Sequence, residues 1–200
     1  MLVLSISCSN ILHKNDFLIR VIDEDSYTTG YINMKNDTII ELGKYFPIYT
    51  DTFSRIAIVG ESKDGIIGID RNQKKIFNVH VFDNGPDEIS EGLFRIFTGK
   101  KYGFADMNGI QIKPKYNFVY PFSEGLAAVN LGGIMVDDYL KEHKIITGGK
   151  WGFIDKKGRV VIKFNFDFIV QSFQNGIAEV EVGGVRFLIN KKGESINVNQ

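Results

Sequence analysis

Lys150-Trp151-Gly152-Phe153-Ile154-Asp155-Lys156-Lys157-Gly158 reads as a strand followed by a tight turn. Bulky apolar residues suit a strand. Asp-Lys-Lys-Gly has turn chemistry, with the glycine free to take positive φ. A second β-rich run, Arg159 to Lys163, comes next, so the stretch predicts a hairpin. Upstream, Tyr102-Gly103-Phe104-Ala105-Asp106-Met107-Asn108-Gly109 repeats the pattern and leads into Ile110 to Lys113.

A second motif follows each copy after an aromatic-rich link. Phe122-Ser123-Glu124-Gly125-Leu126-Ala127-Ala128-Val129 matches Phe173-Gln174-Asn175-Gly176-Ile177-Ala178-Glu179-Val180. Weaker copies flank this pair. Gly30-Tyr31-Ile32-Asn33 opens a unit that closes with Phe53 to Val59. Gly68-Ile69-Asp70 leads to Ser90 to Ile96, and Phe187 to Gly193 begins a last, unfinished copy. The period is about 36 residues, and about four and a half copies are present. Units fall at about 30–59, 67–96, 102–130 and 151–183, with 186–197 a partial copy, in one repeat domain over 17–197. Residues 131–150 interrupt the third unit.

Each unit reads as three strands, the third alternating apolar and polar. Ala178, Val180 and Val182 face one way and Glu179 and Glu181 the other. Phe17 to Ile22 resembles a lone third strand with Ile19 and Val21 on its apolar side. The fold class expected is all-β: about five three-stranded units in a propeller-like or curved array. The N-terminal strand completes the C-terminal half unit, because closure removes exposed edges. An open β solenoid is the alternative.

The Lys150–Gly158 motif and the Phe122–Val129 run resemble the WG-repeat family of bacterial β-repeat proteins. The resemblance is strong over 100–184 and degenerate over 30–97. It implies a repeat scaffold, commonly exported or envelope-associated, with no known reaction.

With 24 basic and 24 acidic residues the formal net charge is zero. That lacks the basic field a nucleic-acid surface needs. The single cysteine, Cys8, cannot form an internal disulfide. Met1 to Asn10 looks like the tail of a bacterial lipoprotein signal, an apolar stretch followed by small residues and a cysteine. Cys8 is therefore a lipidation candidate, and a late start codon would explain the missing beginning. Envelope localisation follows if Cys8 is modified, and a cytoplasmic interaction module if it is not.

A residue kept in every copy serves the unit; one that breaks the pattern is the better functional candidate. Asp70, Asp106 and Asp155 align with Asn33 and Asn190. Paired carboxylates invite a glycosidase, but Asp or Asn at a strand end is expected to accept turn N–H groups. Glu91 and Glu124 in the Ser-Glu-Gly turns read the same way. His13, His80 and His143 have no metal-ligand spacing, and no phosphate or dinucleotide motif is present, so no cofactor, metal or catalytic set is expected. Two segments break the pattern. The insertion supplies Asp137, Asp138, Tyr139, Lys141 and His143 as binding candidates on a short helix or protruding hairpin between glycine hinges. Asp83-Asn84-Gly85-Pro86-Asp87-Glu88 has the acids for calcium but reads as a polar turn. The expectation is a monomeric binding scaffold for a protein or glycan, with a glycan-active enzyme as runner-up.

Overall fold

A computed structural model of the protein describes residues 16–137 and 144–196. Every regular element among them is a strand, and every pairing is antiparallel. The all-β expectation holds.

Five three-stranded meanders follow one another. The first is Leu18–Ile22, Thr29–Ile32 and Thr38–Ile40. The second is Ile56–Glu61, Gly65–Asp70 and Lys75–Val79. The third is Phe94–Phe97, Tyr102–Asp106 and Gly109–Tyr116. The fourth is Leu126–Leu131, Lys150–Asp155 and Val160–Phe166. The fifth is Ile177–Val182, Val185–Asn190 and Ser195–Ile196. Phe97 also pairs with Asn78, which joins the second and third meanders into one six-stranded sheet.

The sheets are out of phase with the sequence repeat. The third strand of each sequence unit hydrogen-bonds to the first strand of the next one, as in Ala127↔Ile154 and Ala178↔Ile189. Both half units are thereby completed locally. Leu18–Ile22 sits between Thr29–Ile32 and Thr52–Phe53, so both its edges are paired. Val185–Asn190 pairs with Ile177–Val182, and Ser195–Ile196 pairs in turn with Val185–Asn190. The expected pairing of the N-terminal strand with the C-terminal half unit is not made. Its expected apolar side is also corrected. Leu18 is the fully buried residue, and Ile19 and Val21 are only half-buried, because no described unit lies on their side.

The glycine of the Trp-Gly motif has a steric cause. In the third and fourth meanders the third strand bulges where it passes the second. A Cβ at Gly103 would lie 2.3 Å from the Ile112 carbonyl oxygen, and one at Gly152 2.6 Å from that of Ile162. No side chain fits there. In the fifth meander the last strand is two residues long, and Phe187 occupies the same position.

Four apolar clusters fill the four interfaces between successive meanders. At three of them the connecting segment inserts a phenylalanine against an aromatic ring of the preceding meander. The pairs are Phe53 on Tyr31 at 4.9 Å, Phe122 on Phe104 at 4.7 Å and Phe173 on Phe153 at 4.9 Å. Burying each such plug contributes roughly 2–3 kcal/mol. Stacked units of this kind hold together through nearest-neighbour contacts.

Candidate binding surfaces

The aligned carboxylates are turn acceptors. Asp155 Oδ1 accepts the amides of Lys157 and Arg159 at 2.9 and 3.0 Å, and Asp70 Oδ1 those of Asn72 and Lys74. Asp106 Oδ1 accepts from Asn108 and Gly109. Asn33 and Asn190 do the same with a neutral oxygen. Burial pushes the Asp155 carboxyl up, but the bonds from the Arg159 side chain and amide outweigh it and hold the group below its usual value.

The turn glutamates join one meander to the next. Glu91 accepts the Gly125 amide at 3.0 Å, and Lys156 Nζ donates to both the Glu91 carbonyl and its carboxylate at 2.9 Å. One unit later Glu124 accepts from Gly176, and Lys191 reaches the Glu124 carbonyl and carboxylate. Arg71 clasps the carbonyl and carboxylate of Asp16 in the same way between the first two meanders. Ser90 and Ser123 add hydroxyl bonds to the carbonyls of Phe122 and Phe173.

The interface between the second and third meanders lacks all of this. Arg55 stands in the place of the glutamate and Met107 in that of the lysine. Ser54 is exposed and makes no bond to the following connecting segment. Ile89 stands where the plug phenylalanine belongs and is 59% exposed, against 5% for Phe53, 2% for Phe122 and 1% for Phe173. Gly68 replaces the aromatic partner, and the Phe77 ring covers it, 2.3 Å from where a Cβ would be. A cleft of about 330 Å³ opens here, with apolar walls from Ile58, Val79, Ile89, Phe94 and Met107. Pro86 lines it too, in the hairpin Val81–Phe82/Gly85–Pro86, whose Val81 and Phe82 side chains are exposed.

Asp87 also reaches the cleft, but it is committed. Its carboxylate accepts the Arg95 amide at 2.9 Å, Nε at 3.0 Å and Nη2 at 2.5 Å, and both side chains are buried. The acidic segment 83–88 is thus a hairpin turn ending in a buried ion pair. No group of side chains suited to hold a metal occurs among the described residues.

The insertion is a hairpin, Ile134–Asp137 against Lys144–Thr147. Asp137 lies at its outer end. Asp138, Tyr139, Lys141 and His143 lie outside the described residues, as do Cys8 and His13. The glycine pairs at its base form a locked neck rather than hinges. A Cβ on Gly149 would lie 2.3 Å from the Gly133 nitrogen. Buried Asn130 accepts the Gly133 amide and donates to the Gly148 carbonyl. Asn117 accepts the Gly132 amide and donates to the Gly133 carbonyl. Both sides of the neck are thereby tied to Asn117 and Asn130.

The sequence singled out the insertion but not the cleft. Its signal was present in Arg55, Ile89 and Met107, the residues that depart from the repeat at the three contact positions.

Successive antiparallel meanders, joined by plugs and turn clamps, define a β-repeat protein. The family model of the WG containing repeat matches residues 102–133 and 151–185, so these two segments are similar to that repeat. The matched segments stop at either side of the inserted hairpin. No curated protein matches the chain.

Proposed function

We propose that the chain is a non-catalytic β-repeat scaffold that recognises another protein where its repeat is broken, tethered at a bacterial envelope through lipidated Cys8. The observation that carries the binding role is that each repeated carboxylate is already an acceptor for the chain's own amides or cations. Acid–base chemistry on a glycan asks for two free carboxylates facing across a cleft. At the one described above, Asp87 is paired with Arg95 and Asp51 with Arg20. Among the described residues, the inserted hairpin and the cleft are the two places where the repeat is broken. A rigid neck favours recognition, since a pre-ordered surface loses less entropy on binding.

Affinity capture followed by crosslinking, with the full chain and with a variant joining Leu131 to Lys150 through a short linker, tests the role. Loss of a specific partner in the variant is expected. Identical capture by both overturns a role for the hairpin. Metabolic labelling with a palmitate analogue tests the tether: label on the wild-type product and none on Cys8→Ala is expected, and an unlabelled wild type overturns it.

A further inference from the structure

The cleft between the second and third meanders is an interface built to a rule and left without one of its parts. At the other three interfaces the rule is the same: a phenylalanine from the connecting segment enters between the meanders and meets a ring of the preceding one. Here the preceding ring position is covered by Phe77 from the neighbouring strand, tilted against Phe94 at 5.7 Å. The connecting segment contributes only Ile89, which turns its side chain to solvent. The clamp that closes the other interfaces over their plugs is also missing, with Met107 in place of its lysine. Three apolar-for-polar or small-for-large changes at one interface leave a gap, floored by buried Ile58, Val79 and Phe94 and rimmed by exposed Ile89 and half-buried Met107.

We propose that this cleft receives a phenyl side chain carried on an extended segment of another protein, a plug supplied in trans. This rests on the binding role proposed above and names its partner chemistry. The remaining interfaces show that meanders of this sequence pattern pack well around such a ring. The walls are apolar, as an aromatic anchor requires, and Met107 is a compliant thioether that adapts to a ring edge. Exposed Tyr49, Val81 and Phe82 offer apolar surface to the flanking residues of the segment. The charged groups at the rim are already paired, Asp87 with Arg95 and Asp51 with Arg20, and Thr50 accepts the Ile58 amide. Entry of a ring therefore strands no buried charge.

The probe is the hexapeptide Pro-Phe-Ser-Glu-Gly-Leu, the chain's own plug sequence at residues 121–126, added to the full protein. The 13C resonances of the Met107 methyl and the Ile58 and Ile89 methyls report occupancy. A saturable shift at millimolar peptide is expected, and replacing its phenylalanine by alanine should weaken binding by about tenfold or more. In the protein, Ile89→Phe restores an internal plug. Ile89 is exposed, so the change does not endanger folding; it should raise the thermal midpoint and abolish the peptide response. No shift with the hexapeptide overturns the proposal. So does an equal response to the alanine peptide, or an undiminished response in Ile89→Phe. None of these results bears on capture through the inserted hairpin, so the binding role stands or falls separately.

Discussion

Lys156 and Glu91 are joined twice, once through the Glu91 carboxylate and once through its backbone carbonyl, both at 2.9 Å. The contact spans two meanders and recurs one unit later as Lys191 with Glu124. Burial pushes the Glu91 carboxyl up, yet the bonds from Lys156 and the Gly125 amide hold it below its usual value. Both side chains remain partly exposed, so the pair works mainly as a register pin. Lys156→Met, which copies the natural Met107, should lower stability by no more than about 1 kcal/mol. The loss should shrink in molar salt. Urea midpoints at low and high salt measure it, and a salt-independent loss would show that packing, not charge, holds the joint.

The turn aspartates make a comparison the chain has already performed on itself. Asn33 and Asn190 carry out with an amide oxygen what Asp155 does with a carboxylate. Asp155→Asn should therefore leave stability nearly unchanged, while Asp155→Ala strands the turn amides and should cost about 1 kcal/mol. Equal losses for the two substitutions, read from urea unfolding, would contradict the turn-acceptor role.

Strand positions, tight turns and the repeat were legible because they are written locally, in alternation and in turn residues. The phase of the sheets was less so. Periodicity marks strands but does not say which neighbour each one joins. A usable signal did exist in Gly183-Gly184, two residues of positive φ between Val182 and Val185. Such a pair favours a two-residue hairpin, which ties the third strand of one unit to the first strand of the next. Read that way, the C-terminal half unit needs no help from Leu18–Ile22. The cleft was hidden for a different reason. Ile89 and Met107 are unremarkable as single residues, and become conspicuous only once the three-dimensional role of their counterparts Phe122 and Lys156 is known. The neck of the hairpin was hidden similarly: glycine pairs suggest freedom until Asn117 and Asn130 are seen to bind their backbone on both sides.

The buried pair of Asp87 and Arg95 should be the most sensitive polar element of the fold. Asp87 accepts three bonds from one arginine, and Arg95 also points Nη1 at the Val119 carbonyl, reaching toward the next meander. Asp87→Ala leaves a buried guanidinium without its counter-charge and should cost about 3–5 kcal/mol. Replacing both partners by apolar residues, as Asp87→Leu with Arg95→Met, should cost less than the single change. Chemical denaturation of the wild type and the two variants measures the order, and a milder single than double variant would refute it.

His80 sets an acid dependence separate from that of the carboxylates. Its ring is half-buried, edge-on to Tyr102 at 5.5 Å and to Phe118 at 6.2 Å. Burial, with a further contribution from the Arg95 cation, lowers its pKa from 6.5 to about 4, while Asp87 opposes the shift weakly. Above pH 6.5 the imidazole is neutral in both folded and unfolded chains, and its contribution to stability is complete. As pH falls from 6.5 toward 4, the unfolded chain takes up a proton that the folded one refuses, so stability drops across that window. Asp106 and Asp155 are held below their usual values and lose their contribution only at lower pH. His80→Phe keeps an aromatic ring against Tyr102 and Phe118 and removes the titrating group. The variant should lose most of the slope between pH 6.5 and 4 and retain the steeper fall below it. Urea midpoints taken at intervals across that range distinguish the two, and an unchanged slope in the variant would assign the acid sensitivity to the carboxylates alone.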